Sequence, residues 1–204
     1  ENHTNPLALL LRKYKSVSGN LTGNFQLSYK PIKDLIFRAS LGYNSFTSDE
    51  HSQTPKSSIN PLSAAMASAG FGNTLSQNWN IEPQVEYVKK IKKGILTILA
   101  GISWQERIGK SLFINASNYN SDLLLNSINA AGELYSTNNY SKYRYNATFG
   151  RMNYNFAEKY ILNFSARRDG SSRFGNNKRF ASFGSLRAAW LFYKESFLQK
   201  LPFL

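Results

Sequence analysis

The side chains best equipped for chemistry are few, and their spacing excludes most of it. Glu82 and Glu86 share one face of an alternating segment, as a general acid and base would. Strand rise alone separates them by about 13 Å, beyond the roughly 5 to 9.5 Å of glycosidase carboxylates. The wall of a polar channel is the better reading of that pair. Asp49-Glu50-His51 could hold a divalent cation weakly, but a solvated loop tip suits the stretch better. His3 and His51 lack partners at metal-ligand spacing. Gly109-Lys110-Ser111 resembles the tail of a phosphate loop, yet Trp104 stands where that loop requires glycine. The chain contains no cysteine, which removes thiolate metal sites, disulfides and Cys nucleophiles. Sequons at Asn20, Asn115, Asn146 and Asn163 are expected by chance in an Asn/Ser/Thr-rich chain. No catalytic group, metal site or cofactor is read from these residues.

A second cluster is basic. Arg167, Arg168 and Arg173 surround Asp169, Gly170, Ser171 and Ser172, and Phe174 and Gly175 close the stretch. Anion or sugar contact is one reading. The simpler one is a hairpin in which Asp169 and the arginines pair locally while Gly170 and Gly175 supply positive φ. The formal net charge of +13 raises the question of nucleic acid. The distribution argues against it: Lys30 and Lys33, then Lys89, Lys90, Lys92 and Lys93, then Lys159 occupy short polar links, and most arginines lie in or beside alternating stretches. There is no basic helix and no dense basic arm. The first residues lack the basic start and small-residue cleavage site of a signal peptide. No apolar run approaches the roughly 20 residues of a membrane helix.

The elements that must position these residues are strands. Leu21, Phe25, Leu27 and Tyr29 share one parity against Thr22, Asn24, Gln26 and Ser28. Leu35, Phe37, Ala39, Leu41 and Tyr43 oppose Arg38, Ser40 and Asn44; Trp79, Ile81, Val85 and Tyr87 oppose Asn80, Glu82, Gln84 and Glu86. Pro83 predicts a bulge or local edge there. Leu96, Ile98, Ala100, Ile102 and Trp104 oppose Gly101, Ser103 and Gln105. Tyr143, Tyr145, Ala147 and Phe149 oppose Arg144 and Asn146, and beyond Gly150 the apolar set moves to Met152, Tyr154 and Phe156, which predicts a bulge. Two further strands follow from Tyr160 and from Phe180, the second carrying Arg187, giving about seven in all. Links near 30–34, 89–94 and 156–159 are short; those near 47–75 and 107–139 are long, and "SDLLLNSINAA" suits a short helix.

Short turns alternating with long loops are the pattern of outer-membrane barrels. A strand of about 12 residues, tilted near 40°, rises about 30 Å, enough to cross a bilayer's hydrocarbon. Aromatics gather where such strands would meet the two interfaces: Tyr29, Tyr87, Phe156, Tyr160 and Phe192 at the short turns, and Tyr43, Trp79, Trp104 and Tyr143 at the loop ends. Arg38, Glu82, Glu86, Gln105, Arg144 and Arg187 then face a wet lumen, because a basic side chain facing lipid at the midplane costs about 2 to 4 kcal/mol. A mean hydropathy of −0.41 fits a wall greasy on one side only.

The stretch Arg167-Arg168-Asp169-Gly170-Ser171-Ser172-Arg173-Phe174-Gly175 strongly resembles the signature hairpin of the SusC/RagA family of TonB-linked outer-membrane transporters. "FGRMNYNFAEKYILNF" before it and "FASFGSLRAAWLFYKESFL" after it resemble the neighbouring strands, as do "NPLALL" and "GNLTGNFQLSYKPIKDLIFRASLGYN" upstream. The resemblance implies an all-β, antiparallel transmembrane barrel segment, residues 1–204, part of a barrel of about 22 strands, with no plug domain in it. It implies uptake of oligosaccharides, glycan fragments or peptides, with outer-membrane lipid, a SusD-like surface lipoprotein and TonB as partners and no enzymatic step. Seven strands with open edges cannot stand alone in lipid. A soluble, secreted β-sheet carbohydrate-binding domain is the alternative from another class, and a nucleic-acid binder ranks last.

Overall fold

A computed structural model of the chain describes residues 6–175 and 178–195. After a short helix at Pro6–Leu9 the chain forms β1 (Lys13–Ile32), β2 (Leu35–Thr54), β3 (Ala67–Ile91), β4 (Gly94–Tyr119), β5 (Glu133–Phe156), β6 (Tyr160–Ser171) and β7 (Phe180–Trp190). They make one seven-stranded sheet in the order β1-β2-β3-β4-β5-β6-β7. Each strand pairs with its neighbours in sequence, so the topology is an antiparallel meander. The sheet is not closed; β1 and β7 are its edges.

The turns explain the tight reversals. Between β5 and β6, Ala157 and Glu158 have φ of 54° and 56°, and between β3 and β4 Lys92 has φ of 52°. Positive φ at the centre of a hairpin loop matches the twist of the flanking strands. An L side chain held there costs about 1 to 2 kcal/mol, which the ladders on both sides offset.

The long connections are shorter than expected. β2 runs to Thr54 and β3 starts at Ala67; β4 runs to Tyr119 and β5 starts at Glu133. The 20 to 26 residues of β1 to β5 exceed the length that apolar alternation marks. Beyond the apolar band, backbone pairing continues but the alternation that reveals a strand disappears. The stretch expected to be helical carries two 3₁₀ turns, Asp122–Leu124 and Ile128–Ala130. Pro83 lies in an interior strand flanked by β2 and β4, not at an edge.

The described chain divides into two compact units. The loop-side unit comprises the described residues of Glu1–Thr22, Asn44–Asn78 and Arg107–Lys142. It has a small core of Ala67, Ala69, Ala116, Tyr119 and Leu125. Leu125 reaches that core because its connection is tied down. The Tyr119 hydroxyl donates to Ser127 O at 3.0 Å, and the Asp122 carboxylate accepts from Lys56 N at 2.6 Å.

The turn-side unit comprises the described residues of Gly23–Tyr43, Trp79–Glu106 and Tyr143–Leu204. It has no apolar core: among its described residues Ala147 is the single buried hydrophobic. Its large apolar side chains point out. The β5–β6–β7 register places Met152, Phe164 and Leu186 in one row, Tyr154, Leu162 and Ala188 in the next, and Phe156, Tyr160 and Trp190 in a third, all on one face. Leu186 is 70% exposed and Phe164 46%. Tyr160 and Trp190 stack at 6.4 Å, and Phe156 and Phe192 extend the aromatic row on either side. The opposite face carries Asn153, Asn163 and Arg187, then Arg151, Ser165 and Ser185.

That register runs unbroken through Gly150, so the bulge expected there is absent against β6. Tyr145, Ala147 and Phe149 belong to the polar face instead.

Beyond β7, Glu195 gathers three donors: Lys159 Nζ at 2.9 Å, the Tyr160 hydroxyl at 2.7 Å and Trp190 Nε1 at 3.2 Å. The hydrogen bond from Lys159, then those from Tyr160 and Trp190, hold its pKa down from 4.5 to about 2.

Two outcomes follow for the full-length protein in detergent. Leu186→Arg on the apolar face should lower unfolding stability by about 2 kcal/mol or more, whereas Ser185→Arg on the polar face should change it by less than about 1; equal losses would contradict the two-faced wall. A carboxylate with a depressed folded-state pKa contributes stability above its unfolded value and loses it as pH falls through the folded value. The Tm of the wild-type protein should therefore fall between pH 4.5 and about 2 more steeply than that of Glu195→Gln; parallel curves would remove the role assigned to Glu195.

Candidate transport surface

The polar face of the turn-side unit is built from rungs. Asn153 Nδ2 donates to Asn163 Oδ1 at 2.6 Å across β5 and β6, and the Ser165 and Ser185 hydroxyls meet at 2.8 Å across β6 and β7. Arg187 stands opposite Asn163 in the same rung as Asn153. Further along, Arg167 donates through Nε to Asp169 at 2.6 Å and through a terminal nitrogen to the Tyr145 hydroxyl at 2.5 Å, and it lies 5.7 Å above the Phe149 ring. Tyr145 in turn donates to Asp169 at 3.1 Å.

Across β2 and β3, Arg38 forks onto Glu86, with N···O distances of 3.1 and 3.5 Å. Two-point geometry fixes that guanidinium more firmly than a single contact would. Glu82 shares the parity of Glu86 in β3. Gly101 is buried beneath Phe149: a Cβ there would lie 2.5 Å from Phe149 Cζ. The wall therefore combines fixed charges, amides and hydroxyls with one flat ring.

One expected residue lies elsewhere. Arg144 falls on the parity of Met152, the face opposite Arg187, and its Nε donates to Glu106 at 2.6 Å. The unbroken register through Gly150 is the reason. Gln105 keeps the parity of Gly101 in β4, which meets Phe149.

The basic hairpin is mostly strand. Arg167, Arg168, Asp169, Gly170 and Ser171 lie in β6, and Ser172, Arg173, Phe174 and Gly175 in the turn. Local pairing of Asp169 with an arginine is present. Arg168 stacks on Phe180 at 5.2 Å and Arg173 on Tyr143 at 4.7 Å. No described glycine has positive φ, so Gly170 and Gly175 do not act as expected. Gly170 is needed for room: a Cβ would collide with Asn146 Oδ1 and come within 2.5 Å of Phe180 Cε1.

In the loop-side unit a depression of about 480 Å³ is lined by Lys15, Asp49, His51, Phe71, Asn73 and Asn126, among others. His51 is not at a loop tip. It belongs to β2, its ring stacks on Phe71 at 4.6 Å, and its Nε2 lies 3.1 Å from Leu125 O. Asn73 engages Asp49 at 2.5 Å. Tyr145 and Phe149 escape pattern reading because aromatics on a polar face imitate the apolar parity, and Asn73 escapes it because its stretch of β3 shows no alternation.

A wall with this inversion has known counterparts. TonB-dependent receptor P3 of Formosa agariphila is 32% identical over 189 residues, covering 86% of this chain and 18% of the relative. TonB-dependent receptor SusC of Bacteroides thetaiotaomicron is 28% identical over 213 residues, covering 98% of this chain and 20% of the relative. The solved RagAB peptide transporter matches 96% of this chain, and 22% of its own, with a TM-score of 0.85 at 25% identity. The chain belongs to the SusC/RagA-like TonB-dependent transporters. It spans about a fifth of the length of the curated relatives it matches. No family model matches it. The open sheet is part of a larger SusC/RagA-like barrel, and these relatives are receptors and transporters, not enzymes.

Gly170→Ala should destabilise the full-length transporter by about 1 to 3 kcal/mol through overpacking. Phe180→Ala in the same background should recover part of that loss, a non-additivity expected of neighbours that share space. Additive losses in a double-mutant cycle would show that Gly170 is not there to make room for the ring.

Proposed function

We propose that this chain supplies part of the barrel wall and loops of an outer-membrane importer for oligosaccharides, glycan fragments or peptides. The observation that carries the reading is the inversion in the turn-side unit: large apolar side chains exposed on one face, charged and amide rungs on the other. Polar groups facing water and apolar groups facing hydrocarbon make this stable in a bilayer and unstable without one. The likeness to a protein named SusC and to a structure named for peptide transport supports import as the activity.

In this reading Arg38, Glu82, Glu86 and Arg187, with Arg167, Tyr145 and Phe149, line the lumen. Arg38 and Glu86 hold one another, so neither collapses onto a passing ligand. A SusD-like surface lipoprotein would cover the extracellular end, and TonB would supply energy through a plug elsewhere in the full protein. Within the hairpin Arg167–Gly175, the turn residues Arg173, Phe174 and Gly175 act as a structural corner rather than as a contact for the imported ligand.

The test is to express the complete gene product and fractionate the cell. It should sediment with the outer membrane and show heat-modifiable gel mobility. A product that stays monodisperse without detergent would support a secreted carbohydrate-binding sheet instead.

A further inference from the structure

The membrane-facing side of the turn-side unit ends in a basic, aromatic-rimmed depression that import does not require. Phe156, Tyr160 and Trp190 form an aromatic row; Asn146, Gly170 and Phe180 form a second row on the same face, in which Phe180 is the ring. From Phe156 to Asn146 the strand advances about 33 Å, which a tilt near 40° reduces to about 25 Å. That is the height of the apolar band of an outer-membrane barrel, so the second row lies at the opposite interface. There a depression of about 450 Å³ opens, flanked by Trp79, Trp104 and Phe180.

The charges at this level are one-sided. Arg144 and Arg179 line the depression, and Arg168 lies one row closer to the midplane, opposite Thr148 and Ser182. Glu106 is the acid beside them, and it engages Arg144, whose side chain stays 66% exposed. Arg168 is exposed and lies over Phe180, its guanidinium directed along the wall. A guanidinium on a lipid-facing row is unfavourable unless an anion at the interface meets it. Ser172 also lines the depression, its hydroxyl accepting from Arg144 N at 2.9 Å.

We propose that this depression binds the phosphate headgroup of a membrane lipid in the leaflet away from the short turns, through Arg144, Arg168 and Arg179. The acyl chains lie on the apolar face below, and Trp79 and Trp104 flank the headgroup. The inference rests on the reading that this face meets a bilayer.

The experiment is native mass spectrometry of the full-length transporter released from detergent with equimolar dioleoyl phosphatidic acid and dioleoyl phosphatidylcholine. The wild type should retain the phosphomonoester lipid at least about fivefold over the zwitterionic one, the scale expected for each basic residue at an anionic surface. The variant Arg144→Gln/Arg168→Gln should lose that preference. Arg168→Gln alone, which leaves the Glu106 pair intact, should weaken it, and Arg151→Gln on the polar face should leave it unchanged. No preference in a wild-type protein that needs detergent overturns the site alone, as does an equal loss in Arg151→Gln. A protein soluble without detergent overturns the site and the membrane reading together.

Discussion

Inside hydrocarbon no water is at hand for a backbone N–H or C=O, and each group left unpaired costs several kcal/mol. Everything in this chain answers to that constraint. A meander of neighbours in sequence pairs each strand on both sides as soon as the next is laid down, and it needs only tight reversals at one end. Those reversals accept Lys92, Ala157 and Glu158 in left-handed backbone, because the strain of one residue is small beside the loss of a ladder. The same constraint makes β1 and β7 edges that a larger barrel must cover, in agreement with the fifth of a relative's length that this chain spans.

Once the backbone is satisfied by the ladder, side chains are free to sort by solvent, and that sorting is what made the fold legible. Seven strands, their order and the positions of the short turns follow from alternation around residues such as Phe37, Ile98 and Phe164. Legibility ends where hydrocarbon ends. The distal halves of β2 to β5 lie beyond the apolar band and show no alternation, their core being small residues such as Ala67, Ala69 and Ala116, so residues near 47–54, 67–75, 107–119 and 133–139 read as loops although they are strand. His51 reads as a loop residue for the same reason: it belongs to the distal part of β2 and stacks on Phe71 of the distal part of β3, both silent as strand in the sequence, and it meets Leu125 O of the β4–β5 connection.

The candidate site was readable to a different degree. Arg38 and Glu86 were assigned a common face, and they form a fork. Arg144 was put on that face because Tyr145, Ala147 and Phe149 looked like the apolar parity. They are residues of the polar face with local duties: Phe149 fills the space left by Gly101 and lies under Arg167. An aromatic on the wet side of a barrel mimics a register shift, and only the pairing with β6 distinguishes the two. At Gly170 the residue type was informative but the cause was not, since a requirement for space and a requirement for positive φ leave the same letter.

The division between lysine and arginine completes the picture. Lysines cluster at the reversals, Lys30, Lys33, Lys89, Lys90, Lys92 and Lys93, where a compact, strongly hydrated ammonium stays in water. Away from the reversals the strands of the turn-side unit use arginine, and two of those arginines and one in the β6–β7 turn lie over aromatic rings: Arg167 on Phe149, Arg168 on Phe180 and Arg173 on Tyr143. A guanidinium is planar and weakly hydrated, so it can stack on a ring and still direct N–H groups along its edge. That makes arginine the cation a strand can carry near lipid. Lysine at the same three positions would keep the charge and lose the stack, and the ammonium would have to reach for water across an apolar surface. The positive charge of the turn-side unit is therefore two populations with separate physical reasons, and neither needs nucleic acid to explain it.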